Sequence, residues 1–408
     1  MTGWTVERLD WEDEPLGEIA LPKRSMRLRS GFGSGLSRRA GDPPGIVWAV
    51  GDRGPNIKVK AAIRLYGLDR LERLRNEEGA KIMPRLDLGP ALAELRVAGG
   101  RVEILRTLRI ADSRGDPVSG LPVPGGPHSR CEPAFDLDGE ALEPDPSGLD
   151  TEGLAALADG GFWVGDEFGP SLVRLDSGGR VLKRLVPEGV ALDGAAYPVE
   201  SRLPAIAARR QLNRGFEAIA LSPDGQWLFL AFQSPLAHPD ESAHEKARHV
   251  RLWRLDAGTG EIAAQYLYPL DPPGSFRRDG DLDRSDLKVS ELCWAGEDSL
   301  LVLERGSETS KIYRVVPADS FALAPEHLDP ATRPTVEELS GGGGDPGLPV
   351  LAKSLLFSSD DAPEVGADLE GMAILSPSEL LLVNDNDFGV EGAETGFWIV
   401  RFDEPIFA

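Results

Sequence analysis

The sequence of 408 residues contains few cysteines and few histidines. The two cysteines, Cys131 and Cys293, allow at most one disulfide, which excludes a disulfide-stapled fold. No histidine has metalloprotease spacing, and His238, His244 and His249 are more typical of a polar surface loop than of a zinc site. The Gly-x-Ser-x-Gly elbow of serine hydrolases and the Rossmann glycine fingerprint are also missing.

The chain also lacks a basic excess and long apolar runs. Its 44 Lys and Arg face 67 Asp and Glu, a formal net charge of -23 that argues against nucleic-acid and anionic-membrane partners. No apolar run reaches the ~20 residues that span a bilayer, so we expect a soluble protein. The N-terminus has no signal-peptide pattern, which leaves two locations open: the cytoplasm, or export after removal of a leader.

What the sequence does contain is a repeat. Five segments each read as a short apolar strand, a tight turn and a second apolar strand: residues 33–52, 151–167, 216–233, 290–304 and 369–384. Two of the turns, Asp159-Gly-Gly161 and Pro223-Asp-Gly225, are typical of β-hairpins. A shared Glu precedes the first strand at positions 152, 217, 291 and 370, with spacings of 65, 74 and 79 residues.

The spacing of the repeat predicts the architecture. Ser34 holds the equivalent place in the first unit and lies 118 residues before Glu152, which suggests a divergent unit around residues 92–108. Six units of about 68 residues predict an all-β fold, a six-bladed β-propeller that forms a single domain over residues 1–408. The N- and C-terminal segments would share one blade and close the ring, because an all-β ring must hide its strand edges.

Three stretches depart from the repeat. The spacing of Leu65, Leu68, Leu71 and Leu74 predicts a helical insertion over residues 65–78. Residues 238–248 are polar and suggest a second helical excursion. Residues 340–347 predict a flexible loop, and no Lys-Ser/Thr pair follows its glycines to make it a phosphate cradle.

The hairpins bring carboxylates together. An antiparallel hairpin returns both ends to one rim, so the Glu before each first strand should meet the polar group after the second strand. With the first strand innermost, these groups converge on the mouth of a central channel, joined by Asp52, Asn56 and Gln233. The predicted metal ligands are Glu152, Asp166, Glu167, Glu217, Glu291, Glu304, Glu370, Asn384, Asp385 and Asp387.

Carboxylates this close repel one another unless a cation is present. A set of oxygen donors almost without His or Cys suits Ca²⁺, and Mg²⁺ less well. The alternative is that these acids are solvated caps at strand ends, although four units repeat the Glu in one register.

Basic residues stand beside the acids. Arg53, Arg214, Lys288, Arg305 and Lys353 either clamp a phosphate next to the metal or compensate charge within the ring, and both interpretations stay open. The candidate catalytic residues are Glu217, as ligand or general base, with Arg214, Arg305 and Lys288 offsetting charge on a phosphoryl group.

Several motifs in order resemble those of a known family. They include Leu149-Asp-Thr-Glu-Gly153, the run from Gly161 to Pro170, Asn213-Arg-Gly-Phe-Glu217, Asp368-Leu-Glu-Gly371 and Asn384-Asp-Asn-Asp-Phe388. Together they look like the phytase-like propeller family, labelled "esterase-like activity of phytase". The resemblance implies hydrolase activity, and calcium by analogy with alkaline β-propeller phytases. Ser34, where other units carry Glu, departs from the pattern.

These observations predict a calcium-dependent hydrolase of a phosphate ester in which a metal-activated water attacks at the channel mouth. The partner would be a small-molecule ester. Two alternatives remain: a carboxylic-ester or lactone hydrolase using the same site, and a metal-stabilised propeller that binds a ligand or protein without chemistry.

Overall fold

A computed structural model describes residues 3–126 and 129–407. In the first half of the chain the strands are β1 (Trp4–Leu9), β2 (Pro15–Ile19), β3 (Met26–Arg29), β4 (Gly35–Ser37), β5 (Ile46–Val50), β6 (Ile57–Lys58), β7 (Lys81–Ile82), β8 (Ala91–Ala98), β9 (Arg101–Arg109), β10 (Ala134–Phe135), β11 (Thr151–Ala156), β12 (Phe162–Asp166), β13 (Ser171–Leu175), β14 (Val181–Pro187) and β15 (Val199–Leu203).

In the second half they are β16 (Phe216–Leu221), β17 (Trp227–Phe232), β18 (His249–Asp256), β19 (Ile262–Pro269), β20 (Lys288–Trp294), β21 (Leu300–Arg305), β22 (Ser310–Val315), β23 (Lys353–Ser358), β24 (Leu369–Ser376), β25 (Glu379–Asn384) and β26 (Phe397–Phe402). The α-helices are α1 (Val59–Tyr66), α2 (Glu241–Lys246) and α3 (Val336–Gly341). The protein is therefore all-β, as predicted, and no helix in the described residues is long and apolar enough to cross a membrane.

Five large sheets carry most of the strands, in the orders β4-β5-β8-β9, β11-β12-β13-β14-β15, β16-β17-β18-β19, β20-β21-β22-β23 and β24-β25-β26-β1. We call them sheets I to V. Their first strands are neighbours in succession: β4 lies beside β11, β11 beside β16, β16 beside β20, β20 beside β24, and β24 beside β4. In sheet V, β1 pairs antiparallel with β26, with Trp4 opposite Phe402.

The six-blade count is not confirmed. Residues 92–108, predicted as a divergent sixth unit, lie in β8 and β9, which are the two outer strands of sheet I. The gap that suggested two units holds instead a long excursion between β5 and β8. That excursion contains β6, α1 and β7, and β6, β7 and β10 form a small separate sheet.

The core fills the spaces between consecutive sheets. Trp48 of sheet I meets Phe162 of sheet II at a ring-centroid distance of 4.8 Å. Phe229 of sheet III meets Trp294 of sheet IV at 5.6 Å. These neighbouring sheets therefore pack against each other through large apolar side chains, which fixes the relative positions of their first strands.

The predicted helical insertion begins earlier than expected. Helix α1 covers residues 59–66, stops at Gly67 with φ of 69°, and continues as a 3₁₀ turn over Asp69–Leu74. Leu68, Leu71 and Leu74 are buried. The spacing of the leucines therefore identified residues that pack in the core, although they do not lie on one continuous helix. Helix α2 lies within the predicted 238–248 excursion. Of the predicted loop 340–347, residues 340 and 341 belong to α3, and residues 342–347 form neither helix nor strand.

Candidate functional site

A polar cavity of about 340 Å³ lies where β11, β16 and β24 begin. Twelve of the residues singled out in the sequence line it: Asp52, Arg53, Asn56, Glu152, Glu167, Glu217, Gln233, Lys288, Arg305, Glu370, Asp385 and Asp387. We call this space the acid cavity. The remainder of its wall is also polar or charged: Lys58, Lys81, Asn213, Ser307, Asp368 and Glu391.

β-Bulges aim the shared glutamates into the acid cavity. In β16, Phe216 pairs with Phe232 and Ala218 with Ala231, so Glu217 is an extra residue without a partner across the ladder. Glu370 is the extra residue of β24 in the same way, and the bulge of β11 contains Glu152. A bulge bends its strand and redirects the side chain. Three sheets thus present a carboxylate to one point.

The carboxylates form three groups whose ligand atoms lie within 4.8 Å of one another. The groups are Glu152 with Glu217 and Glu370, Asp52 with Asp150 and Glu152, and Asp52 with Asp385 and Asp387. Asp52 and Glu152 each belong to two groups, so the three form one connected set. Each group also contains a buried carboxylate oxygen without a hydrogen-bond partner: Oε2 of Glu217, Oδ1 of Asp150 and Oδ1 of Asp385.

Burial and mutual repulsion shift the protonation of these acids. Burial, followed by the charges of Glu217 and other carboxylates, raises the pKa of Glu167 to about 8. Burial and the charge of Asp387 raise the pKa of Asp385 to about 7. The pKa values of Glu152 and Glu370 are raised well above the usual range, with burial as the first cause. The cavity therefore favours protons or another cation.

Two buried arginines hold the acidic clusters in place. The guanidinium of Arg53 donates to Glu132 at 2.8 Å and to Asn213 at 2.8 Å, and it also pairs with Asp150. Arg305 donates to Asp368 at 2.9 Å and pairs with Glu370. Because both guanidinium groups are bound to carboxylates of the protein itself, these arginines position the acids and are not free to bind an anionic ligand.

Lys288 and Arg214 differ from these arginines. The Lys288 ammonium lines the acid cavity and has no hydrogen bond or salt bridge among the described residues. The positive charge of Arg305, with burial and Arg214, lowers the pKa of Lys288 to about 8. Arg214 donates from Nη1 to Oε1 of Gln233 at 2.9 Å, and it faces a neighbouring cavity rather than the acid cavity itself.

Four predicted ligands lie outside the acid cavity, each bound by protein groups. Asp166 is fully buried and pairs with Arg184 while accepting from Ser171. Glu304 accepts from the Tyr268 hydroxyl at 2.6 Å and from Lys353 at 2.5 Å.

The other two are Asn384 and Glu291. Asn384 bonds to the backbone of Asp385 and Glu394 and accepts from Gly396. Glu291 accepts from the backbone amide of Leu36 at 2.9 Å and from Leu292 at 3.0 Å. Nothing in these contacts favours a role as metal ligand for any of the four.

Glu291 was aligned one residue out of register. In β20, Val289 pairs with Glu304 and Glu291 with Leu303, so the extra residue of the bulge is Ser290. Ser290 is thus the equivalent of Glu217 and Glu370, as Ser34 is in the first unit. Glu291 takes the place that Gly35, Gly153, Ala218 and Gly371 occupy in the other inner strands.

Sequence reasoning missed several acids that complete the cavity region. Glu132, Asp150 and Asp368 were not predicted as site residues, although Arg53 binds the first two and Arg305 binds Asp368. A signal was present: Asp150 and Asp368 each stand two residues before a shared Glu, in Asp150-Thr-Glu152 and Asp368-Leu-Glu370. Glu132 lies outside the repeat, and no pattern marks it.

A larger cavity, about 840 Å³, lies at the other ends of the first strands. Its wall comes from the far ends of the inner strands, including Leu157, Leu221 and Trp294. It contains none of the clustered carboxylates. Size alone would favour this cavity, but the three acidic groups and their unpartnered oxygens make the smaller one the candidate functional site.

The family is decided by a match over most of the chain. Residues 30–388 fit the family model "Phytase-like: Esterase-like activity of phytase". The chain belongs to this phytase-like family. The resemblance in the motifs is thereby confirmed. The matched range contains most residues that line the acid cavity and includes strands of all five large sheets.

Other relatives of the phytase-like chain are more distant. An uncharacterized secreted protein of Arthroderma benhamiae is 25% identical over an alignment of 326 residues that covers 69% of this chain. The chain spans about 60% of that protein's length. Among solved structures, the calcium-binding protein regucalcin of Agrobacterium tumefaciens is 14% identical, with 92% of this chain and 94% of that chain covered and a TM-score of 0.36. A gluconolactonase of Xanthomonas campestris is 11% identical, with 98% of each chain covered and a TM-score of 0.36. Structural likeness of this degree does not indicate an activity.

Proposed function

We propose that this phytase-like protein is a hydrolase that binds a divalent cation in the acid cavity and cleaves a small-molecule phosphate ester there. The observation that carries the proposal is the group of Glu152, Glu217 and Glu370, which three different sheets bring within 4.8 Å. Oε2 of Glu217 is buried there without a partner. The family description, which names an esterase-like activity, supports the reaction class.

The donor set fits a hard cation. Every candidate ligand atom of the three acidic groups is a carboxylate oxygen, which suits Ca²⁺ and, with stricter geometry, Mg²⁺. A cation would also relieve the repulsion that raises the pKa values of these acids. We favour Ca²⁺ because the acids come from separate strands and loops and supply many oxygens rather than one compact octahedron.

The chain's own residues then have distinct tasks. When bound, the cation supplies Lewis acidity toward the ester oxygen and lowers the pKa of a water. Glu217 has one of two roles: its unpartnered oxygen either binds the cation or accepts a proton from the attacking water. Lys288, which no described carboxylate neutralises by a salt bridge, offsets negative charge on the phosphoryl group. Arg305 acts as a positioning residue, because its guanidinium holds Glu370 and Asp368.

We also propose that the five sheets are the blades of a five-bladed propeller and that the chain is one domain. The support is the succession of neighbouring first strands from β4 to β24 and back to β4. The match to a secreted relative favours the exported alternative for location.

The experiment uses purified protein with three substrates: a phosphomonoester, a phosphodiester and a short-chain acyl ester. Each is assayed after EDTA treatment and after addition of Ca²⁺ or Mg²⁺. We expect phosphate release that EDTA abolishes and Ca²⁺ restores. Turnover of the acyl ester alone would refute phosphate-ester hydrolysis and favour the alternative, a carboxylic-ester or lactone hydrolase. Tight metal retention without any turnover would refute hydrolysis and leave a metal-stabilised binding protein.

A further inference from the structure

The cavity of about 840 Å³, which we now call the far cavity, is built by all five large sheets. The first strand of each sheet contributes at least one apolar residue to its wall: Leu36, Leu154, Ile219, Leu292 and Ala373. Two tryptophans, Trp163 and Trp294, also line it. Concave spaces of this size with apolar walls are typical of small-molecule binding sites.

Glu291 separates the far cavity from the acid cavity. The two cavities share no lining residue within the described ranges. Between them the other first strands have only small residues, namely Gly35, Gly153, Ala218 and Gly371. The buried carboxylate of Glu291 reaches from β20 to β4, where it accepts the amide hydrogen of Leu36 at 2.9 Å. A ligand in the far cavity is therefore kept apart from the clustered acids by this side chain.

Both acids of the far cavity have partners within the protein. Asp159 pairs with Arg174 at 2.6 Å. Asp224 accepts from the hydroxyl of Ser222 at 2.5 Å and from the backbone amide of Gln226 at 3.0 Å. The hydrogen-bonding capacity of these carboxylates is thus largely used by the protein itself, which disfavours a cationic ligand.

Two cations of the same wall lack a carboxylate partner. Arg38 donates to backbone carbonyls of β24, and its Nε is buried without a hydrogen-bond partner. The ammonium of Lys183 lies over the ring of Trp163, 5.8 Å from its centroid, and makes no hydrogen bond or salt bridge within residues 3–126 and 129–407. Arg39, by contrast, pairs with Asp42. In a chain with a net charge of -23, this local positive charge favours an anionic ligand.

We propose that the far cavity binds a small apolar anion, namely a carboxylic acid with a hydrocarbon chain. The chain contacts the apolar wall, which supplies affinity by burial of hydrocarbon. The carboxylate is bound by Arg38, and Lys183 adds positive charge to the same wall. The site is separate from the acid cavity, and the inference does not rest on the proposed function because no step of the hydrolysis uses these residues.

Calorimetric titration of the full chain in EDTA tests the proposal. Without Ca²⁺ the acid cavity offers no cation to a carboxylate. The probes are decanoate, decanol and decylammonium, all below the concentrations at which they form micelles, and the shorter hexanoate. We expect decanoate to bind about tenfold more tightly than decanol and decylammonium. Hexanoate should bind more than tenfold more weakly than decanoate, because each buried methylene contributes about fourfold.

Two substitutions test the role of the cations. Arg38→Gln should reduce the preference for decanoate over decanol to about one, whereas Arg401→Gln, an equal loss of charge from an exposed pair, should preserve it. Lys183→Glu removes no hydrogen bond or salt bridge within the described residues and should also weaken decanoate binding. Its control is Lys246→Glu on exposed α2, which should have no effect. Unchanged decanoate affinity in both Arg38→Gln and Lys183→Glu would overturn the proposal.

Cys293 reports where the ligand binds. It lines the far cavity and is partly exposed, and in Cys131→Ser it is the only thiol. Decanoate should slow its labelling by methyl methanethiosulfonate and should bind equally well with EDTA and with Ca²⁺. Unprotected labelling, a requirement for Ca²⁺, equal affinity for the three decyl compounds, or no binding would each overturn the proposal. Decanoate binding in a protein that hydrolyses no ester would refute the hydrolase and leave the far cavity as a binding site.

Discussion

Nε of Arg305 donates a hydrogen bond of 2.8 Å to the hydroxyl of Ser290. Ser290 is the bulge residue of β20, at the position where β16 and β24 have Glu217 and Glu370. The serine thus leaves room for a guanidinium from β21, which crosses to Glu370 in the next sheet. One sheet contributes a positioning cation where its neighbours contribute carboxylates.

Arg305→Ala is expected to destabilise the protein strongly. The substitution leaves Glu370, which lies in a buried cluster, without its counterion, and breaking a buried pair from one side costs about 3–5 kcal/mol. Urea denaturation measures the free energy of unfolding. The matched control is Arg401→Ala, which removes a guanidinium from an exposed pair with Glu7 and should cost no more than about 1 kcal/mol. Equal losses for the two variants would contradict the positioning role.

Glu217→Gln should have opposite effects on stability with and without metal. In EDTA, loss of one charge from the cluster relieves repulsion and raises the melting temperature. In Ca²⁺, the lost ligand charge lowers affinity by about tenfold, so the stabilisation by metal shrinks. Calorimetric titration and thermal melts measure both effects. The exposed control Glu261→Gln should change neither, and an unaltered Ca²⁺ affinity in Glu217→Gln would argue against this carboxylate as a ligand.

Glu291→Gln should leave Ca²⁺ affinity unchanged. Its carboxylate accepts amide hydrogens from Leu36 and Leu292 and takes no part in the three acidic groups. The two amides donate to different carboxylate oxygens, so the single oxygen of Gln keeps one of these bonds, whereas Glu291→Ala leaves both buried donors unsatisfied and should cost about 1–3 kcal/mol. Metal titration of the Gln variant and denaturation of the Ala variant test this. A large loss of Ca²⁺ affinity in Glu291→Gln would restore the ligand role that its sequence position suggested.

Glu167 makes the metal-free protein sensitive to pH. Its pKa is about 8 when folded, against 4.5 ordinarily, because of burial and the neighbouring carboxylates. Between these values the folded state keeps a proton that the unfolded state has released, so this residue's contribution to stability falls as pH rises from 4.5 to 8. Glu167→Gln removes that titration. In EDTA, denaturation at several pH values should show the variant gaining stability relative to the natural protein up to about pH 8 and then levelling off.

A pH-independent difference between the two proteins would contradict the raised pKa of Glu167. Loading with Ca²⁺ supplies a further check. The cation neutralises the carboxylates that raise this pKa, so the pH dependence of the difference should weaken when metal is bound.

Many residues of the acid cavity could be predicted, because each repeat places its polar residues at the same positions relative to its two strands. Glu152, Glu217 and Glu370 precede apolar strands in one register, and antiparallel pairing forces their ends to one rim. Asp385 and Asp387 follow the second strand of the last hairpin and arrive at the same rim, as predicted. Here local pattern and tertiary position agree, which is why residue spacing was informative.

Two predictions differ from the observed strand arrangement for physical reasons. The bulge in β20 adds a residue that the sequence pattern does not display, so Glu291 was chosen over Ser290. The sixth blade arose from dividing a gap equally, whereas residues 51–90 leave sheet I and return to it, and their length reflects an excursion rather than another unit. The partners of Arg53 could not be foreseen, because Glu132 reaches it from outside any repeated element.

The pairing of β1 with β26 has a consequence for folding during synthesis. Residues 4–9 are synthesised long before their partner strand, residues 397–402. Sheets I to IV can assemble from strands that are close in sequence, whereas sheet V must close a loop that runs from β1 to β26. Until then this edge of β1 is unpaired and open to association with another chain.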